Sequence, residues 1–278
     1  MAIGRSDSPE SQIDAAVAAA AVLESRESPR VAADFHVELR GPAFDSPLPA
    51  QVRDISTGGI CFATASRVAL DSLRSVTLSL PQGSTRFDVE GKWQTTEGMD
   101  DSVLTGAVFV GLLPAEVASL WDLVDKTSRE IGSFLYESLR EEGASLDDAM
   151  GIAQTTRMRV IPRGRFIYQR HEAPAQGDDS IFIVRSGSVE LTLPIRSGRE
   201  VRVGKIGPGS FFGGLGSVSS MLPLESAQAS EETSLLEVSK SAFSYLRVAK
   251  PLLAHWVGQV VLSGLLKRLD GVVSRLAE

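Results

Sequence analysis

The strongest constraint on this chain is a change of hydrophobic period at Pro114. Before it, Phe35-His-Val-Glu-Leu-Arg40 and Ser75-Val-Thr-Leu-Ser-Leu80 alternate apolar with polar residues, and Phe87 to Trp93 resumes the pattern. Alternation of this kind suits strands with one buried face. After Pro114, residues Val117, Leu120, Trp121, Val124, Ile131, Phe134, Leu135 and Leu139 recur at steps of three and four. That spacing predicts an amphipathic helix, with Pro114 tolerated in its first turn and Glu116 favoured near its N-terminus. Thr127 interrupts the stripe. Packing on a neighbouring domain and a coiled-coil dimer seam both fit it.

Gly143 ends the helical pattern, and Ser145-Leu-Asp-Asp offers an N-cap for a second helix. Short strand-like runs then return at Phe166–Gln169, Ile181–Arg185, Val189–Leu193 and Val201–Ile206, punctuated by glycines. After Pro251 a last helix carries Leu253, Trp256, Val257, Val260, Val261, Leu265, Leu269, Val272, Val273 and Leu276 over a wide arc. The fold expected is mainly β with helices, in four regions. Residues 1–24 form a mobile N-terminal segment with an alanine-rich helix at Ala15–Leu23. Residues 25–125 form a small β-barrel, 126–156 a helical linker, and 157–278 a second β domain with a terminal helix.

Composition narrows the function. A formal charge of −7 over 278 residues argues against general nucleic-acid binding, although a few local cations can still hold a small anion. One cysteine, Cys61, excludes an internal disulfide framework and fits a reducing compartment, so a cytoplasmic location is expected. No run of about 20 apolar residues predicts a membrane span. The acids Asp7, Glu10 and Asp14 stand where a secretory leader would be basic. His36, His171 and His255 are scattered, Asp147-Asp148 belongs to a helix start, and no nucleophile–base pair, phosphate loop or metal spacing is visible. The expectation is a binding protein, not an enzyme, with no metal and no cofactor.

Two segments suggest a binding site. Arg26-Glu-Ser-Pro-Arg30 places two arginines four apart in an arm that Pro29 biases away from helix. Arginine presents a planar fork that matches phosphate oxygens and stacks on purines. Asp54-Ile-Ser56-Thr-Gly-Gly59 sits at a strand end, where a carboxylate and a hydroxyl can take the donor edge of a guanine. Gly58 and Gly59 allow positive φ and a close approach to the main chain.

In this order and context the segment resembles a PilZ domain. That family carries Arg-x-x-x-Arg and then Asp/Asn-x-Ser-x-x-Gly, matched here by Arg26, Arg30, Asp54, Ser56 and Gly59. Val89–Trp93, Thr105–Phe109 and the helix from Pro114 resemble its later elements, over roughly residues 25–125. The resemblance implies a six-stranded barrel that binds the bacterial messenger cyclic di-GMP. Arg26 and Arg30 would contact the phosphates and stack on guanine, Asp54 and Ser56 would hold a guanine edge, and Gly59 would shape the turn.

The second block resembles a cyclic-nucleotide-binding jelly-roll of the catabolite-activator type, on Phe166-Ile-Tyr, Asp179–Gly187 and Gly207-Pro-Gly-Ser-Phe-Phe-Gly213. Phe211 and Phe212 are expected in its core. That family's Phe-Gly-Glu and Pro-Arg-Ala become Phe212-Gly213-Gly214 and Pro223-Leu224-Glu225 here. Gly214 replaces the glutamate, Leu224 the arginine, and no arginine or lysine occurs between Lys205 and Lys240. A phosphate without a cation is strongly disfavoured in a partly buried site. The domain is therefore read as degenerate, an interaction or dimerisation module. The whole is expected to be a cyclic di-GMP receptor that signals through an unidentified protein partner, with no direct DNA binding. A homodimer through helices 114–140 or 251–277 is open. The alternative is a scaffold in which both sensor domains are silent.

Overall fold

The computed structural model describes residues 30–80, 83–96, 102–170, 179–194, 200–219 and 223–276. Ala15–Leu23 and Arg26 lie outside them, as does His171. Seven strands open the fold: β1 (Val31–Ala32), β2 (His36–Arg40), β3 (Leu48–Ile55), β4 (Gly59–Thr64), β5 (Ser75–Leu80), β6 (Gly83–Thr96) and β7 (Val103–Phe109). Antiparallel pairing runs β3-β2-β5-β6-β7-β4, and β4 pairs back onto β3, closing a six-stranded barrel. Closure removes free sheet edges. Strand β1 pairs with the end of β3 beyond β2, in line with β2 and on the same edge. Val37, Leu39, Val52, Phe62, Leu78 and Phe87 fill the interior.

Helix α1 (Pro114–Leu139) starts where the period changes, and the Leu113 N–H donates to Glu116 Oε2 at 2.7 Å. Its stripe is buried within the chain, on two different cores. Leu120 and Val124 pack into the barrel, whereas Ile131, Leu135 and Leu139 pack into the second domain. Between them the buried position is Ser128, one residue past the break that Thr127 makes in the pattern. Trp121, counted with the stripe by spacing, is exposed. Gly143 leaves the helix in the left-handed region at φ 97°. Ser145 then caps α2 (Leu146–Ala153): its Oγ accepts from Asp148 N at 3.1 Å, and its N–H donates to Asp148 Oδ2 at 2.8 Å.

The second domain comprises β8 (Thr156–Ile161), β9 (Phe166–Tyr168), β10 (Ile181–Ser186), β11 (Val189–Pro194), β12 (Glu200–Ile206), β13 (Phe211–Gly213), α3 (Leu215–Ser219), β14 (Ser226–Ala229) and β15 (Thr233–Val238). The strands form two four-stranded sheets, β13-β10-β15-β8 and β12-β11-β14-β9. Helices α4 (Lys240–Ala249) and α5 (Pro251–Leu276) follow. The first sheet is apolar on both faces. Phe182, Val184, Phe212 and Leu235 point into the jelly-roll, while their neighbours Ile181, Ile183, Phe211 and Leu236 meet the helices. A sheet buried on both sides reads as a continuous apolar run, which is the pattern of Ile181-Phe-Ile-Val184.

The short strand β1 joins the two halves. Val31 and Ala33 belong to the barrel core, and Ala32 between them belongs to the core of the second domain. Next to it, the Asp34 carboxylate accepts from Gln51 Nε2 of β3 at 2.8 Å and from Ser234 Oγ of β15 at 3.0 Å.

Candidate functional site

The β1–β3 register sets Val31 opposite Ile55 and Ala32 opposite Asp54, so Arg30 arrives beside the turn that follows β3. There Arg30 Nη1 lies 2.7 Å from Asp54 Oδ1. The side chains are 24% and 6% exposed, so the carboxylate is sheltered while the guanidinium edge meets solvent. Ser56 organises the turn. Its Oγ accepts from Gly59 N at 3.1 Å and from Gly58 N at 3.3 Å, and its own N–H donates to Gly59 O at 2.8 Å.

Gly59 is required for a different reason from the one its sequence context suggests. It opens β4 without a left-handed φ; a Cβ there would stand 2.6 Å from the Ala107 carbonyl oxygen. Closeness of β7, not turn conformation, demands the glycine. The fold thus brings Arg30, Asp54, Ser56 and Gly59 together, and Arg26 lies outside the described residues.

Pairing also reveals a residue that spacing did not single out. Ala32, Asp54, Cys61, Gly106 and Trp93 are successive lateral partners across β1, β3, β4, β7 and β6. Lateral partners share a face, and here it is the outer face of the barrel. Cys61 joins Ala63 and Leu104 in a small outward cluster apart from the barrel core. Trp93, 41% exposed, lays its ring over Gly106, where a Cβ would come within 2.2 Å of ring atoms. A carboxylate paired with an arginine fork therefore stands in one row with an accessible indole, about 14 Å away by strand spacing.

The second domain holds a small cavity bordered by Tyr168, Gly214, Leu224, Glu225, Val261 and Arg268. Its volume is about 10 Å³, room for one water. The expectation of a site without a cation needs correction. The stretch Lys205–Lys240 lacks one, but α5 returns Arg268, whose Nη2 lies 3.4 Å from Glu225 Oε1. Glu225 is buried at 7% exposure and Arg268 nearly so at 13%. Burial raises the Glu225 carboxyl above its usual range, opposed by Arg268 and by a hydrogen bond with the Tyr168 hydroxyl. Burial also pushes the Tyr168 phenol well above 10, and the nearby Glu225 adds to that rise.

The described residues contain no group of three His, Cys, Asp or Glu side chains arranged to hold a metal ion. None of their helices is long and apolar enough to cross a membrane.

Against known families, the model of the PilZ domain matches residues 24–126, and the model of the cyclic nucleotide-binding domain matches residues 158–248. The chain carries a PilZ domain followed by a cyclic nucleotide-binding domain. Both are ligand-binding regulatory domains rather than catalytic ones, which supports a nucleotide-binding signalling protein. Among solved structures, a cyclic nucleotide-binding domain from Methylobacillus flagellatus is similar at 21% identity, covering 54% of this chain and 80% of that one, with a TM-score of 0.43. The catabolite activator protein of Thermus thermophilus is similar at 23% identity, covering 52% and 63%, with a TM-score of 0.41. A regulatory protein from Silicibacter pomeroyi, for which cAMP binding has been proposed, shows 20% identity, coverage of 54% and 64%, and a TM-score of 0.37. No curated protein matches the sequence.

Proposed function

We propose that the barrel is a receptor for cyclic di-GMP and that the second domain passes its state to a protein partner. The observation that carries this reading is the Arg30–Asp54 pair in one row with the exposed Trp93 ring. The ligand is a dianion with two purine faces and two donor edges. Arg26 and Arg30 take phosphate and guanine, Asp54 takes a guanine edge, Ser56 and Gly59 hold the turn in shape, and Trp93 offers a stacking face.

The relay runs through β1 and α1. Fastening the arm at Arg30 acts on a strand whose next two residues enter different cores, and α1 is built into the same two. A ligand shifts such an arrangement only by its differential affinity for the two states. Output surfaces lie on α5, where Leu262, Leu266, Leu269 and Val273 are exposed at steps of four, three and four. This apolar stripe offers a surface for the protein partner or for a second copy of this chain.

Calorimetric titration of the full chain with cyclic di-GMP, beside Arg30→Ala and with cyclic AMP as control, tests the receptor reading. Saturable heat that disappears in the variant supports it. Absence of heat with every ligand selects the scaffold reading, which the small size of the second-domain cavity favours for that half of the chain.

A further inference from the structure

The second domain's cavity brings together a carboxylate and a guanidinium from distant parts of the chain. Glu225 precedes β14, and Arg268 sits 43 residues later on α5. We propose that Glu225 is a built-in occupant of this cavity, engaging Arg268 where a diffusible anion would, and so fastening α5 to the jelly-roll without a ligand.

Four features support it. Among the described residues, the space left beside the pair is small, about 10 Å³, so the tethered carboxylate takes up most of the room near Arg268. An arriving anion would set two negative groups against one guanidinium, or would have to displace a carboxylate that is covalently tethered and always present. The neighbouring backbone is shaped around this arrangement. Gly214 has φ +65°, and a Cβ there would collide with Ile181, so an acid at 214 is excluded while one at 225 is accommodated. On the helix side, a Cβ at Gly264 would stand 3.3 Å from both Arg268 Nη1 and the Phe211 carbonyl oxygen; the glycine lets the guanidinium lie between α5 and β13.

The position along α5 gives the pair its consequence. Leu253, Val257 and Val261 are buried in the helix-side core. Beyond Val261 the helix touches the jelly-roll through half-buried Leu265 and Val272 and through Arg268. Leu262, Leu266, Leu269 and Val273 face outward from this same stretch. Ionised or protonated, Glu225 keeps an acceptor oxygen toward Arg268. Without Glu225 the guanidinium keeps its 3.5 Å contact from Nη1 to the Phe211 carbonyl oxygen but loses its charged partner, which weakens its hold on the site.

The test is amide hydrogen exchange on the full chain, following residues 262–273, with β10 and β15 as internal references. Glu225→Ala should lower protection of this stretch at least about tenfold, and free acetate, but not sodium chloride at equal ionic strength, should restore it. Arg268→Leu should lose the same protection with no acetate rescue. Unchanged protection in either variant, or a loss in Glu225→Ala that acetate fails to relieve, overturns the inference. If Glu225→Ala unfolds globally, so that β10 and β15 exchange equally, Arg268→Leu decides alone: retained protection overturns it. The outcome is independent of whether the barrel binds a dinucleotide.

Discussion

Asp54 and Trp93 face the same side of the barrel because each follows a residue that the strand pairing skips, Arg53 in β3 and Lys92 in β6. Strict alternation from Val52 would turn Asp54 into the core, and from Phe87 and Val89 it would turn Trp93 inward. Each bulge shifts the pleat by one residue and re-aims the side chain outward, while Ile55 still returns to the interior.

Trp93 is the first residue to alter. Stacking of a base on an aromatic ring contributes about 1–3 kcal/mol, so Trp93→Ala should weaken cyclic di-GMP binding by roughly ten- to a hundredfold. Thermal stability should fall as well, because the ring is more than half buried over Gly106, so binding is compared at a temperature where the variant is folded. Calorimetry on the variant checks the affinity, and ligand-dependent tryptophan emission of the wild type checks the contact.

Arg30→Lys separates charge from shape. A lysine keeps the cation but loses the planar fork, so affinity should fall by at least about tenfold. Asp54, with its side chain 6% exposed, keeps a positive neighbour, and the unfolding midpoint should barely move. Arg30→Ala removes that neighbour and should cost about 1–3 kcal/mol in urea denaturation, at the low end because Arg30 itself is a quarter exposed.

Gly59→Ala tests the close approach of β4 to β7. A Cβ 2.6 Å from the Ala107 carbonyl forces the two strands apart, at a cost of about 1–3 kcal/mol. Gly83→Ala, at φ 127° with open space around it, makes a useful contrast: its cost arises from backbone strain alone. Equal denaturation midpoints for wild type and Gly59→Ala would contradict this account of the site.

Tyr168 predicts the alkaline behaviour. Its phenol is raised well above 10 in the fold, by burial first and by Glu225 second, with Arg268 opposing. The unfolded chain releases this proton near pH 10 and the folded chain retains it, so stability falls as pH rises above that point. Tyr168→Phe should show a shallower decline above about pH 10 in denaturation measured at each pH.

Leu266→Lys together with Leu269→Lys places charges in the α5 seam. Sedimentation should show a dimer for the wild type and a monomer for the double variant, with jelly-roll stability retained because both positions are exposed. A wild type that sediments as a monomer at all concentrations would remove α5 as a self-association surface.

Much of this architecture was legible in the sequence, because period and punctuation are local properties. The start of α1 at Pro114, the left-handed Gly143 and the Ser145 cap follow from residue types a few positions apart. Phe211 and Phe212 are both buried, but on opposite faces of a sheet that period alone could not assign. Bulges are a property of pairing between strands, so Phe87–Trp93 read as simple alternation and Trp93 passed as one more strand residue. Arg268 was hidden for a similar reason: a search confined to the residues around a motif does not reach a helix 43 positions away.

The placement of Ala32 has a practical corollary for anyone dissecting this chain. A fragment ending soon after the barrel would leave Ala32 facing water where the second half of α1 and the second-domain sheet now cover it. A fragment beginning at β8 would lose the same lid from its other side. The two halves share a wall, and excising either one uncovers apolar surface that the other now buries.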